Sequence, residues 1–486
     1  MPLNPQNQLA IFLSTIEKNY SASDLELVKL AYDFASEAHE GQTRASGDPY
    51  ILHPLATAQK LAEMQLDLPT IIAGLLHDVP EDTAVSLKEV EKNFGKEVAG
   101  LVEGITKLGK LKYRGMERYA ENLRKMFVAM SDDIRVILIK FADRIHNLKT
   151  LDALKPEKQL RIARESLEIY APIADRLGIG HIKGELEDLS FKYVYPQEYA
   201  WMMTILPQEY EAKEKSLEKV RQKVEVELEK NNIPTGGILI QGRTKHLYSL
   251  YKKLIRPHIN RDLSKIYDLI ALRLIVPTVA DCYSALGILH SMYRPMPNRI
   301  KDYIAQPKPN GYKSLHTTIF TDDGEIVEFQ IRTPRMHEEA EYGIAAHWNY
   351  KEDNSNLQKN NIKWLSELVE WQKQIQDNDQ FLQTVKFDIF QNRIFVFTPK
   401  GDVIDLPEGA TPIDFAYHLH SNIGDKCVGA RVNEQLMRLD SELKSGDIVE
   451  IIIDKNRKGP STDWLEMAHT SMAKSKIKNS LNKLRK

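Results

Sequence analysis

Residues 73–85 read AGLLHDVPEDTAV, a segment in which an apolar run is followed at once by four ionisable side chains. These are His77, Asp78, Glu81 and Asp82. Burying a charge without a partner costs several kcal/mol, so a cluster of this kind beside an apolar run normally has something to bind. The segment therefore predicts a ligand site at the end of a buried helix.

Helical spacing gives this cluster a geometry. Residues four apart lie one turn apart on the same helix face, which would pair His77 with Glu81 and Asp78 with Asp82. Pro80 lacks a backbone N–H, so we expect the helix to kink or to restart there.

A metal ion is the ligand that these residue types favour. Imidazole and carboxylate groups together suit a borderline divalent cation such as Mn²⁺ or Zn²⁺ better than Ca²⁺. His77 and Asp78 are too few, and the remaining candidates are His53 in YILHP and Asp143 in KFADRIHNL. The alternative is that the acidic residues only cap a helix, but capping does not require two histidines beside an apolar helix.

Length and composition exclude several classes of protein. A chain of 486 residues is too long for one hydrophobic core and predicts about three domains. The 66 Lys and Arg nearly balance the 68 Asp and Glu, so phosphate binding should be local rather than spread over a polybasic surface. Two distant cysteines, Cys282 and Cys427, exclude a disulfide framework. With no apolar run of membrane-spanning length, these features predict a cytoplasmic protein without membrane contact.

The spacing of apolar residues changes along the chain. Apolar positions recurring at three and four predict an all-α domain over 1–200, and strands mixed with helices predict an α/β domain over 201–352. A helical linker over 353–385, a small β-grasp unit over 386–455 and a basic helical tail over 456–486 complete the expected multi-domain fold.

A second candidate site lies in the α/β domain. The stretch GRTKHLYSLYKKL (242–254) places cations around a strand-to-helix turn, where helix N–H groups favour an anion. The loop QPKPNGYKSLHT (306–317) adds an aromatic ring flanked by cations, which suits a purine carrying phosphates. Taken singly, each stretch favours a solvated basic loop with a structural tyrosine over a binding site.

Two carboxylates strengthen this second site. Asp268 starts the predicted strand DLIALRLIV, and alternation puts Glu328, Gln330 and Arg332 on one face of another strand. Carboxylates on neighbouring strands can hold Mg²⁺, which neutralises charge in phosphoryl transfer. The alternative is two ordinary acids at strand edges.

The motifs TRASGDPYILHP, LLHDVPEDT, ITKL and KFADRIHNLKTL together resemble the HD-type hydrolase domain of the long RelA/SpoT-homologue (Rel) family. The resemblance implies Mn²⁺-dependent hydrolysis of the 3′-pyrophosphate of (p)ppGpp. It implies His53, His77, Asp78 and Asp143 as the metal ligands, Glu81 and Asp82 as the residues that activate or position the attacking water, and Arg44, Asn147 and Thr150 as the lining of the nucleotide pocket. Ala45 stands where many relatives carry a lysine.

The motifs GRTKHLYSLYKKL, IYDLIALRLIV, NGYKSLHTTI, VEFQIRT and AAHWNYK resemble, in order, the nucleotidyltransferase-like (p)ppGpp synthetase domain of the same family. The implied reaction is pyrophosphate transfer from ATP to the 3′-hydroxyl of GDP or GTP. The resemblance implies that Asp268 and Glu328 bind Mg²⁺ and that Glu328 also activates the hydroxyl. It implies that Tyr312 stacks on guanine and that Arg273 flanks adenine. The residues implied to hold ATP are Arg243, Lys245 and Lys253, and those implied to hold the acceptor are Lys308, Asn310 and His316. Strand alternation places Arg273 on the opposite face from Asp268. The sequence RIKD (299–302) resembles the version found in bifunctional members.

Residues 396–433 resemble a TGS domain, a β-grasp module that in long Rel proteins contacts the end of deacylated tRNA on stalled ribosomes. His420 is the preferred contact over His418, and the alternative is that both histidines pack within the helix. Long-form relatives continue past this module into further regulatory segments, so we expect basal catalysis without strong activation by stalled ribosomes.

Three competing functions remain open at this point. One is a nucleic-acid-modifying nucleotidyltransferase fused to a repair phosphohydrolase, against which the lack of a broad basic surface argues. Another is a non-catalytic ribosome-associated regulator, against which two full ligand sets argue. The third is a hydrolase-dominant enzyme with a weak synthetase.

Overall fold

The computed structural model describes residues 4–109, 115–233, 239–244, 246–257, 259–266, 269–308, 310–348 and 393–484, with a few isolated positions between 365 and 385. The chain divides into two compact units, Met1–Trp371 and Gln372–Lys486. None of the described helices is both long enough and apolar enough to cross a membrane.

Helices form the N-terminal part of the first unit, as the apolar spacing predicts. They are α1 (Pro5–Ile16), α2 (Ala22–Ala38), α3 (Leu52–Glu63), α4 (Leu68–Leu76), α5 (Val79–Asp82), α6 (Leu87–Gly109), α7 (Gly115–Asp132), α8 (Arg135–Lys149), α9 (Pro156–Glu165), α10 (Ala171–Arg176) and α11 (Gly180–Val194). Local signals set several of the boundaries: Ser21 forms a capping box with Asp24, and the Asp67 side chain caps α4. Helix α3 packs between α4 and α8, which brings its buried first turn to the centre of this part.

The long helix α12 (Pro196–Lys230) leads into the α/β part. The predicted domain boundary at residue 200 therefore lies inside a helix. The apolar face of α12, including Met202, Val224 and Leu228, belongs to the same core as the sheet that follows, so the helix is part of the α/β structure.

A mixed sheet forms the centre of the α/β part. Its strands are β1 (Leu239–Thr244), β2 (Ile270–Ile275), β3 (Arg294–Pro295), β4 (Lys301–Asp302), β5 (Leu315–Phe320) and β6 (Ile326–Arg332), in the order β1-β2-β6-β5-β3 with β4 also paired to β5. Only β2 and β6 pair in parallel among these neighbours. The helices are α13 (Leu247–Leu254), α14 (Val279–Met292) and α15 (Pro334–Tyr342). Along β6, Val327, Phe329 and Ile331 enter the core, so the intervening polar side chains share the other face.

Helix α11 joins the helical and α/β parts into one compact unit, where the sequence predicts separate domains. It packs against α8 and α9 on the helical side and against α13 and α15 on the α/β side. Helix α13 has no side-chain cap from its own N-terminal residue. Instead, Asp188 in α11 accepts a hydrogen bond from the Tyr248 N–H at 3.0 Å and contacts His246 Nδ1 at 2.8 Å. The N-terminus of α13 in the α/β part is thus capped by a side chain of the helical part.

Two glycines allow the backbones of the two parts to meet directly. Gly343 has a φ of 53°, and a Cβ there would lie 2.4 Å from the Leu177 carbonyl oxygen. A Cβ on Gly178 would lie 2.7 Å from the Asn310 carbonyl oxygen. The Ile344 N–H donates to the Leu177 carbonyl at 3.2 Å across this junction. Any side chain at either glycine would force the junction open.

The second unit is a small α/β module. Its elements are β7 (Arg393–Phe397), β8 (Val403–Pro407), α16 (Pro412–Leu419), α17 (Ser421–Asp425), β9 (Cys427–Val432), β10 (Gln435–Met437), β11 (Val449–Ile453), α18 (Trp464–Met467) and α19 (Ser471–Leu484). Strand β7 pairs with β8, and β9 pairs with both β10 and β11. Helix α19 lies within the segment predicted as a basic tail, but Ala473 and Ile477 are buried against α16 in a common core.

Candidate active sites

Three helices bring the first predicted ligand set together. His53 lies at the start of α3, His77 directly follows α4, and Asp143 lies in the middle of α8. Their ligand atoms lie within 4.8 Å of one another, and all three side chains are buried. Asp78 completes the set: its Oδ2 is 3.4 Å from His53 Nε2 and its Oδ1 is 3.2 Å from His77 Nε2.

The histidine orientations suit metal binding. His77 Nδ1 donates to the Gly74 carbonyl oxygen at 2.8 Å, which leaves Nε2 aimed at the carboxylates. That Nε2 is buried and has no hydrogen bond within the described residues. Two imidazoles and two carboxylates around a buried, unsatisfied nitrogen fit a borderline divalent cation.

The electrostatics of this cluster favour bound positive charge. Burial lowers the pKa of His77, but the carboxylates of Asp78 and Asp143 outweigh burial and raise this pKa to about 9. Burial raises the pKa of Asp143, but Lys140 and His53 outweigh it and hold this pKa well below its usual range. A proton and a metal ion therefore compete for the same site, so metal affinity should fall at low pH.

Polar neighbours that the motif analysis did not single out surround the ligands. His146 Nδ1 lies 2.8 Å from His53 Nδ1, and Lys140 Nζ lies 2.7 Å from Asp143 Oδ2. Both residues are three positions from Asp143 on α8, so the helical i±3 spacing in KFADRIHNL could have identified them. Such partners orient ligands and tune their charge.

Pro80 restarts the helix at this site. Helix α4 ends at Leu76 and α5 begins at Val79, with His77 and Asp78 in the break between them. Pro80 has no N–H and interrupts the hydrogen-bond ladder, but the Asp82 N–H still donates to the Asp78 carbonyl oxygen at 2.9 Å, so Asp78 and Asp82 lie one helical turn apart as expected. Glu81 and Asp82 lie in α5 and are exposed.

A cavity of about 510 Å³ opens beside the His/Asp cluster. Asp143 lines it together with all three predicted nucleotide residues, Arg44, Asn147 and Thr150. Arg44 Nη2 donates to Asn147 Oδ1 at 2.6 Å and to Thr150 Oγ1 at 3.5 Å, so these side chains form one group. Lys140, Arg144, Lys158 and Arg161 add positive charge to the walls, which suits a ligand with several phosphates.

A second cavity of about 470 Å³ lies in the α/β part. It is lined by four of the predicted residues, Lys253, Lys308, His316 and Glu328. His316 lies at the centre of a polar chain: its Nδ1 is 3.4 Å from Glu328 Oε1, and its Nε2 is 2.8 Å from the Tyr312 hydroxyl. Burial lowers the pKa of His316, so its ring is neutral at physiological pH and can bridge the two side chains.

Several other predicted residues of this site have different surroundings. Arg273 is paired with Glu341 at 2.9 Å, and the strand register places it beside Gln330, on the face that carries Glu328. Asn310 points toward the helical part, with its Nδ2 donating to the Asp175 carbonyl oxygen at 3.4 Å. Arg243 lies in β1 opposite Ala271, which in turn lies beside Glu328. Lys245 and Asp268 lie outside the described residues.

The same cavity contains residues that sequence reasoning missed. Tyr303 lines it, as do Arg256, Lys265, Arg299 and Lys301. The RIKD motif followed by a tyrosine was the available signal for three of them. Cations from several elements converge on one volume, as a site for two phosphorylated substrates requires.

In the second unit, His418 and His420 are both exposed. His420 Nδ1 accepts a hydrogen bond from the Asn422 N–H at 3.1 Å and so caps α17. This bond leaves Nε2 as the nitrogen available to an outside partner.

Comparison with known proteins identifies the family to which this chain belongs. Three family models match: an HD domain over residues 31–180, the region found in RelA / SpoT proteins over 242–355, and a TGS domain over 394–453. The bifunctional (p)ppGpp synthase/hydrolase SpoT of Escherichia coli K12 is 46% identical over 479 residues, which are 98% of this chain and 67% of that protein. The chain belongs to the RelA/SpoT family.

Other RelA/SpoT relatives are similarly close. A GTP pyrophosphokinase of Myxococcus xanthus is 48% identical over 470 residues, which are 96% of this chain and 61% of the relative. A guanosine-3′,5′-bis(diphosphate) 3′-pyrophosphohydrolase of Aquifex aeolicus is 48% identical over 459 residues, 94% and 65% of the two chains. The chain thus spans less than two thirds of the length of these two relatives. The expected fold class, with HD, RelA/SpoT and TGS domains, is confirmed.

Proposed function

We propose that this RelA/SpoT chain both hydrolyses and synthesises (p)ppGpp. One site would hydrolyse (p)ppGpp to GDP or GTP and pyrophosphate, and the other would transfer pyrophosphate from ATP to the 3′-hydroxyl of GDP or GTP. The observation that carries the proposal is the pair of separate polar cavities, one of which ends at a buried His/Asp cluster. The names of the relatives, which include a bifunctional synthase/hydrolase, support it.

In the hydrolase site, His53, His77, Asp78 and Asp143 would hold Mn²⁺. A bound divalent cation makes a neighbouring water more acidic. Asp82, with Glu81, would position this water and accept its proton, while Arg44 binds the pyrophosphate. A bond forms between the water oxygen and the phosphorus attached to the ribose, the bond from that phosphorus to O3′ breaks, and O3′ takes up a proton.

In the synthetase site, Glu328 and Asp268 would hold Mg²⁺, which neutralises phosphate charge. Gln330 Nε2 donates to Glu328 Oε1 at 3.0 Å and fixes that carboxylate toward the cavity. Tyr312 would stack on guanine, His316 would hold the tyrosine hydroxyl, and Lys308 would pair with acceptor phosphates. Glu328 would take the proton from the attacking 3′-hydroxyl.

The two activities allow each site to serve as the control for the other. With Mn²⁺ and ppGpp, the Asp78→Ala variant should lose hydrolysis by a factor of about 100 or more, because a ligand and its charge are removed. Its synthesis from ATP and GDP with Mg²⁺ should be unchanged. Glu328→Gln should show the reverse pattern. Full hydrolysis by Asp78→Ala would contradict the hydrolase assignment, and full synthesis by Glu328→Gln would contradict the synthetase assignment.

We also infer partners and location. Both reactions use ATP or guanine nucleotides, which indicates activity in the cytoplasm. The TGS match and the exposed His420 support contact with deacylated tRNA and the ribosome. Replacing His420 with Ala should weaken binding of deacylated tRNA without changing basal hydrolysis.

A further inference from the structure

One tyrosine hydroxyl lies between two carboxylates of the hydrolase site. The Tyr50 hydroxyl is 2.9 Å from Asp78 Oδ2 and 2.7 Å from Asp82 Oδ2. A hydroxyl has a single proton to donate and carboxylates only accept, so it serves one of the two at a time. A metal ion held by Asp78 would draw electron density from that carboxylate and make Asp82 the better acceptor for this proton.

The loop that carries Tyr50 is firmly held. The Tyr50 ring stacks on the buried His39 ring, with centroids 4.5 Å apart and planes 21° apart, and its edge faces His53. His39 Nδ1 lies 2.9 Å from Gln42 Oε1, and Gln42 Nε2 donates to the Asp82 carbonyl oxygen at 3.0 Å. Both the side chain and the backbone of Asp82 are therefore hydrogen-bonded to one packed group of residues, His39, Gln42 and Tyr50.

Asp82 needs such an anchor because its own element is weak. Helix α5 is a single turn of four residues, so its helical hydrogen bonds fix little. The Asp82 side chain is exposed, whereas Asp78 is largely enclosed. An exposed carboxylate at the end of a single helical turn would sample many rotamers without a partner.

We propose that Tyr50 is a positioning residue of the hydrolase site, whose hydroxyl holds the Asp82 carboxylate toward Asp78 and the attacking water. The inference rests on the proposed hydrolase function. It differs from a substrate contact, because the hydroxyl is directed at carboxylates although the residue also lines the cavity. It explains how the exposed Asp82 carboxylate is held beside that of Asp78.

The test is Tyr50→Phe, which removes the hydroxyl and keeps the ring. Hydrolysis of ppGpp should show a kcat lower by about 10- to 100-fold, as for other groups that orient a reacting side chain. KM for ppGpp, calorimetric affinity for Mn²⁺ and synthesis of ppGpp should stay within about twofold, because ground-state binding is not altered. Tyr32→Phe is the matched control. Tyr32 is a buried tyrosine of the same part whose hydroxyl has no hydrogen bond within the described residues, so all values should be retained.

A double-mutant cycle decides whether Tyr50 acts through Asp82. In an Asp82→Ala background, Tyr50→Phe should cause almost no further loss of kcat, since residues that act as one unit are not additive. Independent losses would overturn the proposal even if Tyr50→Phe proved less stable.

Other outcomes are equally clear. A raised KM at constant kcat would make Tyr50 a substrate contact, and a matching loss of Mn²⁺ affinity would make it a support of Asp78; either result overturns the proposal. An unchanged Tyr50→Phe enzyme would do the same while leaving the hydrolase function intact. A wild-type chain that hydrolyses no ppGpp would instead contradict the proposed function on which the inference rests.

Discussion

At the scale of single residues, Lys308 makes the cavity of the α/β part suited to bind an anion. Its ammonium group lies 4.8 Å from the centroid of the Tyr303 ring and 5.0 Å from that of Tyr312. No carboxylate forms an ion pair with Lys308 among the residues that the structure describes. Burial lowers the pKa of Lys308, because desolvation disfavours the charged form of its ammonium group. The two ring faces compensate in part, and phosphate groups of a bound acceptor would complete the compensation.

Replacing Tyr303 tests this arrangement. Tyr303→Leu removes one ring face and should raise KM for GDP by about 5- to 30-fold, the equivalent of a desolvated cation–π contact. KM for ATP and the rate of ppGpp hydrolysis should be unchanged. Tyr303→Phe keeps the ring and should behave as wild type. If Tyr303→Phe and Tyr303→Leu raised KM for GDP equally, the hydroxyl rather than the ring face would be the important group. If KM for ATP rose as well, the whole cavity would depend on Tyr303.

At the scale of elements, a buried carboxylate fixes the segment before the last helix to the TGS module. Asp414 in α16 is fully buried. Its oxygens accept hydrogen bonds from the Thr470 N–H at 2.8 Å, the Thr470 hydroxyl at 2.7 Å and the His469 N–H at 3.1 Å. They also accept the Thr411 N–H at 2.9 Å. The segment before α19 is therefore fixed by charge-assisted hydrogen bonds, and the apolar side of α19 follows it into the core.

Asp414→Asn should release this attachment. The amide turns an N–H₂ group toward N–H donors, and losing charge-assisted bonds in a buried site should cost about 2–4 kcal/mol. Hydrogen exchange in α16 and α19 should then accelerate by about 30- to 700-fold, since each 1.4 kcal/mol is about tenfold. Asp402→Asn is the control, because Asp402 is exposed and bonds only locally to Thr398 in the described structure. Unchanged protection in Asp414→Asn would show that α19 is held without Asp414, by its apolar packing and by the bonds of Lys476 to the Tyr417 carbonyl oxygen and of Ser480 to Asp425.

At the scale of the whole molecule, each compact unit contains one of the two cysteines. Cys282 lies in α14 of the first unit and Cys427 in β9 of the second, and both are buried. Burial raises the pKa of Cys282 to about 12 and that of Cys427 to about 11. Because only the thiolate reacts, each thiol reports on the opening of its own unit.

Thiol labelling provides the corresponding prediction. At pH 8 neither cysteine of the native chain should react with a chromogenic disulfide reagent, whereas both should react in denaturant. The pKa of an unfolded cysteine is about 9, below the pKa of either thiol in the folded chain. As the pH rises from about 9 toward the folded-state pKa values, the unfolded state loses its thiol protons first. The free energy of unfolding therefore falls over that range, and labelling should accelerate. The single variants Cys282→Ala and Cys427→Ala assign each signal. Rapid labelling of either thiol in the native chain at pH 8 would contradict its burial.

Much of the architecture could be read from the sequence because its determinants are local. Periods of about 3.6 and 2 predict the helical and α/β parts, and turn residues predict the β-grasp module. The ligand candidates were recognisable because few residue types bind a given metal ion, and the structure brings His53, His77 and Asp143 together. Domain boundaries were harder to predict: the limit expected at residue 200 lies inside α12, whose apolar residues share a core with the sheet that follows.

The sequence by itself determined the class of each domain and the residue types at each site, because periodicity and side-chain chemistry belong to the chain. Only the tertiary structure decided which distant groups meet. Tyr50 at Asp82, Asp188 at the start of α13, Glu341 at Arg273 and Asp414 at Thr470 are examples. Each pair depends on the packing of separate elements, and no local spacing encodes that packing.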